Sequence, residues 1–426
     1  MLRDYYSRIK SSSFAKNASI LTLGTLVAQA LPLLTYPILG RLFSPEDFGF
    51  LATINVITPI LAILASGMYE NAILISVSKE EAANIVGMVI LRSLVVLAIC
   101  YLLMLGFSAQ LSNFLKEPGL EKWLLIPVIS AFATVIYNCY NEWCVTNKQF
   151  VNLSWNKIIN TSSVSVGKIG FGVFKMFGNG LVLGDLFGKI FSAVLCIFRA
   201  FRLEKNSFNA IKFSRFREVT KKYNNFPRFL MPDQLLNNVG SSIHIFFIGA
   251  YFNNAELGFI SMSASLLTVP VTVISSAIKD VFRQRAQEEF SETGTCRPTY
   301  IKLLKPIAIF GILAVIPGYF LMPQVFSIFL GPQWVKAGEY SQILLPMFLL
   351  NFISMSLGGV LVIANKTKVS LYWQIYTIIV TIISFVVGIF VFGNIKETLY
   401  CFMVARTSAY VLYMFLSFYY SDRENG

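Results

Sequence analysis

Residues 156–177 read NKIINTSSVSVGKIGFGVFKMF, an apolar run long enough to cross a bilayer that nevertheless carries Lys157, Lys168 and Lys175. The gaps are eleven and seven residues. At about 100° per residue, each step returns to within about 20° of the same helix face. Thr161 lies about 40° from Lys157 and Ser165 is near that face. The stripe extends over about 27 Å of helix rise, nearly a full hydrocarbon thickness. One charge at that depth costs about 3 kcal/mol on insertion scales. Three in line are expected to face a wet, shared interior, which makes the chain a candidate conduit for something anionic. Snorkelling toward opposite interfaces is the alternative for Lys157 and Lys175, but it leaves Lys168 at mid-depth without an account.

The composition around this stretch agrees with a membrane setting. The 426 residues are 55% apolar and 13% charged, with a mean hydropathy of +0.64; soluble domains carry about 25% charged residues. The chain is therefore read as an all-α polytopic membrane protein. A net charge of +13 would suggest nucleic acid in a soluble protein. Here it reads as the Lys and Arg that set orientation from cytoplasmic loops, and no nucleic-acid partner is expected. Met1–Lys16 has no short apolar core or small-residue cleavage site, so no cleavable leader is expected. The six cysteines have no zinc or redox spacing, and His244 is the sole histidine, so no metal site or histidine triad is expected.

A window of about 19 residues predicts about twelve spans. They lie near 17–40, 46–75, 83–107, 122–146, 151–177, 180–201, 223–251, 255–280, 300–322, 340–364, 369–393 and 397–420. The longest polar stretch, Arg202–Lys222, is strongly basic and divides them six and six. The predicted organisation is an N-terminal bundle at 1–205, a basic cytoplasmic linker at 206–222 and a C-terminal bundle at 223–426. Surface-lying helices are predicted at Ser207–Val219 and Arg283–Glu289. Lys and Arg gather in the loops that share a side with both ends of the chain, which predicts cytoplasmic termini. Equal halves with the same orientation form the parallel-repeat arrangement of many transporters. The external loops are short, leaving no extramembrane domain to host chemistry.

Other polar residues fall on predicted spans. The seventh, YNNFPRFLMPDQLLNNVGSSIHIFF at 223–247, places Asp233, Asn237, Gly240 and His244 on one face, with Arg228 a turn earlier. Pro227 and Pro232 should interrupt its hydrogen bonding. Such a helix suits a substrate or ion site, and Asp233 and His244 are candidates for proton coupling; close helix packing is the competing reading. The first span carries Thr22, Thr25, Gln29 and Tyr36 on one face, with Pro32 and Pro37 either breaking it into a cleft-lining helix or simply kinking it. Asp185 and Lys189 stand i, i+4 on the sixth span and should pair, while remaining candidates for coupling. Arg92 and Arg406 would add to a basic lumen; Glu70 and Glu142 read as rim residues. No phosphate loop, dinucleotide signature or metal cluster is present in the sequence, so transport powered by nucleotide hydrolysis in this chain is not expected.

Several stretches are similar to bacterial polysaccharide flippases of the Wzx type, in the multidrug/oligosaccharidyl-lipid/polysaccharide exporter superfamily. They are NASILTLGTLVAQALPLLTYPILGRLFSPEDFG at 17–49, YENAI at 69–73 with KEEA at 79–82, and NEWCVTNKQF at 141–150. GLVLGDLFGK at 180–189, FPRFLMPDQLLNNVGSSI at 226–243 and VFRQRAQEEF at 281–290 continue the likeness. The resemblance implies two six-helix bundles around a central cavity, as in the multidrug exporters. It implies a non-enzymatic transporter of the bacterial inner membrane that moves undecaprenyl-pyrophosphate-linked oligosaccharide from the cytoplasmic to the periplasmic leaflet by alternating access. No cofactor is implied beyond coupling to an H+ or Na+ gradient. Membrane lipid, a polysaccharide polymerase and a chain-length regulator are the implied partners. Residues matching the cationic lumen of related members are Lys157, Lys168, Lys175, Arg92 and Arg228. The competing readings are a small-molecule or drug exporter of the same fold, which the basic stripe disfavours, and a membrane polymerase or ligase, which would need a larger external loop. A non-transporting scaffold would leave the mid-depth lysines as an uncompensated cost.

Overall fold

The computed structural model describes residues 13–115, 119–174 and 179–422. Among them there is no β-strand, and long helices account for most of the chain. In the first half these are α1 (Ser13–Leu42), α2 (Pro45–Ser66), α3 (Lys79–Gly106), a short α4 (Ser108–Leu115), α5 (Leu125–Thr146), α6 (Phe150–Val173), α7 (Gly180–Leu203) and a short α8 (Phe216–Lys222). The second half contains α9 (Met231–Tyr251), α10 (Asn254–Thr293), α11 (Arg297–Leu330), α12 (Val335–Ser356), α13 (Thr367–Val387) and α14 (Ile395–Tyr419). Starts are marked by local chemistry. Ser78, Asn179, Asn253 and Asn394 each accept a backbone N–H of the helix that follows, satisfying a donor that the first turn leaves open.

Ten helices among the described residues are long and apolar enough to cross a membrane. Two others are long but too polar to qualify: α6, with 24 residues, and α9, with 21. These are the two predicted spans with the densest polar patterns. Large apolar side chains lie open along the outsides of the helices, among them Leu313 at 66% and Phe320 at 67% exposure on α11. Such faces require lipid around them. The chain is a multi-pass membrane protein.

Contacts divide the chain into two units. One contains residues up to Phe43 together with Phe50–Ser242; the other contains Ser44–Gly49 and Ile243 onward. The first has a core of Ile73, Ile85, Val89, Ala131 and Trp143, joined by Phe208, Val219 and Tyr223. The last three belong to the stretch between α7 and α9 or to its edge. The expected separate linker at 206–222 is thus packed into the first unit. Asn84, fully buried on α3, donates to the Ala210 carbonyl and accepts from the Lys212 N–H, and the Tyr69 hydroxyl donates to the Thr220 carbonyl. Basic composition suggested a tether; apolar residues at intervals within it give the stretch a docking face. The second unit has its own core, with Phe282, Tyr300, Phe352 and Val360. Its first element after α9, α10, is one helix of 40 residues, so the expected surface helix at 283–289 is a continuation of the span.

The proline-bearing segments differ. α1 continues through Pro32 and Pro37. Pro227 lies in a π-helical turn, Phe226–Leu230, and Pro232 is the second residue of α9. Pro227 sits in the first turn, where its missing N–H breaks no hydrogen bond. Pro232 follows the π turn, in which the Met231 N–H donates to the Phe226 carbonyl five residues back, so the α-helical bonding is interrupted there.

Candidate cationic site of the first unit

The site is built on the packing of α6 against α7. Gly167, Gly184 and Gly188 form the seam. A Cβ on Gly167 would stand 2.5 Å from the Gly184 carbonyl oxygen, and one on Gly188 would overlap the Val164 backbone. Small residues let two backbones approach this closely. Each glycine precedes a charged residue: Gly167 precedes Lys168, Gly184 precedes Asp185 and Gly188 precedes Lys189. The close approach therefore sets three charges together. Asp185 Oδ1 lies 2.9 Å from Lys168 Nζ, and Oδ2 lies 2.6 Å from Lys189 Nζ. The aspartate side chain is 7% exposed and the lysines 15% and 20%.

The expected Asp185–Lys189 pair is present. Lys168 is not a bare ammonium: it shares the same carboxylate from the neighbouring helix. One carboxylate between two ammonium groups leaves a surplus of one positive charge. Lys189 Nζ also lies 3.3 Å from Asn55 Oδ1 of α2 and donates to it.

About 16 Å along α6 from Lys168, Lys157 is partly buried and donates to the Thr25 hydroxyl of α1 at 3.0 Å. Thr25 in turn donates to the Leu21 carbonyl. Among the described residues no carboxylate lies within ion-pair distance of Lys157. Arg199 of α7, which the sequence reading missed, donates to Asn156 Oδ1 at 2.7 Å. Its signal was a cation on the span that pairs with the lysine-bearing helix. Lys175, the third residue of the predicted stripe, falls outside the described residues.

The remaining candidates do not join this group. Arg92 donates to the Leu64 carbonyl at 3.0 Å and to the Ala65 carbonyl, and lies over the Tyr69 ring. It caps the C-terminus of α2, where a cation suits the exposed carbonyls. Arg228, Asp233 and Asn237 are exposed, and Asp233 accepts a long hydrogen bond from Gln234. His244 belongs to the other unit, where its ring stacks on Phe402 at 5.6 Å. The predicted common face of Asp233 and His244 is thus divided between units. Gln29 and Tyr36 are half-buried on α1. Just past the end of α2, Glu70 is 5% exposed, and its Oε2 has no hydrogen-bond partner among the described residues.

The first unit of this helical membrane protein thus gathers buried cations around one carboxylate. Solved structures agree on the fold. The lipid II flippase MurJ, in an inward closed conformation, aligns over 93% of this chain and 87% of its own, with a TM-score of 0.72 and 15% identity. An inward-facing multidrug resistance MATE family transporter of the MOP superfamily aligns over 94% of this chain and 96% of its own, with a TM-score of 0.67 and 16% identity. The sequence is more specific. Residues 38–339 match the model of the polysaccharide biosynthesis protein family, and the chain belongs to that family. It is also similar to the teichuronic acid biosynthesis protein TuaB of Bacillus subtilis (strain 168), at 20% identity over 154 residues, 36% of this chain. That match spans only about a third of TuaB, 32% of its length.

Proposed function

We propose that the protein flips undecaprenyl-pyrophosphate-linked oligosaccharide repeat units, of O-antigen or a related polysaccharide, from the cytoplasmic to the periplasmic leaflet of the bacterial inner membrane. The observation that carries this reading is the surplus positive charge at Lys168–Asp185–Lys189, on spans of a polysaccharide biosynthesis protein. A pyrophosphate cannot cross hydrocarbon unaided, because an unpaired buried charge is too costly. The surplus ammonium of the trio, and Lys157 nearer the start of α6, would replace its water. The prenyl tail stays in lipid, so only the polar head needs a path. On this reading α6 and α9 complete twelve crossings, both termini are cytoplasmic and transport proceeds by alternating access coupled to an H+ or Na+ gradient. A polymerase and a chain-length regulator act on the delivered units.

Lys168→Ala tests it cleanly, since it leaves a neutral Asp185–Lys189 pair and removes the surplus charge without orphaning another. In a deletion strain, this variant should accumulate in the membrane at normal abundance. Surface polysaccharide should be lost and the lipid-linked glycan should build up on the cytoplasmic leaflet. Full surface polysaccharide from a normally abundant Lys168→Ala protein sinks the proposal.

A further inference from the structure

Beside the charged trio the first unit has an open-sided cavity of about 300 Å³, at the small end of the roughly 300–1,000 Å³ range of ligand sites. Its wall brings together Asn55, Thr134, Tyr137, Asn138, Asn160 and Lys189 from four helices. Among the described residues the Asn138 and Asn160 amides have no hydrogen-bond partner. Asn138 lies about 20 Å of helix rise from the start of α5 and about 12 Å from its end, so its amide sits well inside the span. Both residues are half-buried and line the cavity, so their amides remain open to whatever fills it. Thr134 donates its hydroxyl proton to the Ser130 carbonyl at 2.7 Å, which leaves the oxygen lone pairs available as acceptors. Pro59 also borders the cavity; having no N–H, it leaves the Asn55 carbonyl without its helical donor.

The lining chemistry selects the ligand. Amide side chains offer donors and acceptors together, as sugar hydroxyls do. No carboxylate is among the described residues lining the wall, and Asp185, which pairs with Lys189, is already shared by two lysines, so the wall offers little to a cation. One ammonium among neutral groups is sparse for a free polyanion, and the amides are wrong for an acyl chain. We infer that this cavity is a glycan subsite: it takes the sugar next to the pyrophosphate, with Asn55, Asn138 and Asn160 on its hydroxyl or acetamido groups and Lys189 on the phosphate side. This deepens the flippase reading and rests on it.

The test uses the full chain in lipid nanodiscs and measures binding by native mass spectrometry. The probes are undecaprenyl pyrophosphate alone and undecaprenyl pyrophosphate bearing N-acetylglucosamine or galactose. The wild-type protein should favour a glycosylated probe by about tenfold, the worth of one or two net hydrogen bonds. Asn138→Leu/Asn160→Leu should erase that preference and leave binding of the bare carrier unchanged. Asn138→Ala and Asn160→Ala, which impose less bulk, should each erase part of it if the double variant fails to fold. Equal binding of bare and glycosylated probes by the wild type, or a preference that survives the asparagine substitutions, overturns the subsite while leaving the flippase reading standing. Binding of none of the probes by the wild type removes both.

Discussion

Asp185→Asn should be among the most damaging single substitutions in the first unit. The side chain keeps its shape but loses the charge that holds Lys168 at 2.9 Å and Lys189 at 2.6 Å. At an effective dielectric near 20, each contact represents roughly 6 kcal/mol of gross attraction at these separations. Most of that offsets the desolvation of the ions, so the net worth of the intact trio is small. Deletion is another matter, because it strands two ammonium groups that are at least four-fifths buried. Removing one partner of a buried pair costs about 3–5 kcal/mol, and Asp185→Asn is expected in that range. Replacing all three, as Lys168→Met/Asp185→Leu/Lys189→Met, strands nothing and should be near neutral or stabilising by about 1–4 kcal/mol. Thermal unfolding in detergent, followed by tryptophan fluorescence, measures both. The expected order is a large loss for the single variant and recovery for the triple, with flipping abolished in the triple despite its stability. If Asp185→Asn melts with the wild type, or the triple variant is as unstable as the single, the electrostatic account of this site is wrong.

Three further outcomes follow from particular contacts. Gly188→Val places side-chain atoms into the Val164 backbone; it should destabilise the first unit by about 1–3 kcal/mol or more and lower disulfide yield between cysteines introduced on the facing sides of α6 and α7. Asn84→Ala removes the side chain that bonds both Ala210 and Lys212, at a cost of about 1–3 kcal/mol, and limited proteolysis should cut the 205–222 stretch faster than in the wild type. Burial raises the Glu70 carboxyl above the usual carboxylate range, so the folded protein holds this proton more tightly than the unfolded chain. The resulting stabilisation is fully present below the unfolded value, near pH 4.3, and is lost as pH rises through the raised folded value. Melting curves should show this decline in the wild type and a shallower one in Glu70→Gln; parallel curves for the two proteins would falsify it.

What could be read from the sequence depended on how local the physics was. Hydropathy places the long helices, and an i, i+4 spacing suffices to pair Asp185 with Lys189. The lysine stripe correctly singled out α6 as the unusual helix, yet the partner of Lys168 lies across a seam that periodicity along one helix cannot see. The glycines preceding each of the three charges were the available hint. Arg92 was misjudged for a similar reason: on α3 it looks like a lumenal cation, but the carbonyls it caps come from the end of α2. His244 and Asp233 share a face in helical projection, while contacts from other elements assign them to different units. In proline-rich α1 the local rule left a break and a kink both open, and the continuous helix excludes the break.

The glycine seam has a mechanical consequence. Because α6 and α7 meet backbone to backbone at Gly167, Gly184 and Gly188, that part of the seam has no room for side chains that could re-pack by hopping to new rotamers. They should shift together as a single plank through any change of shape, keeping Lys168, Asp185 and Lys189 in fixed relation. The trio then acts as a constant cartridge of charge, and the difference between capturing and releasing cargo must come from what approaches it, not from a change within it.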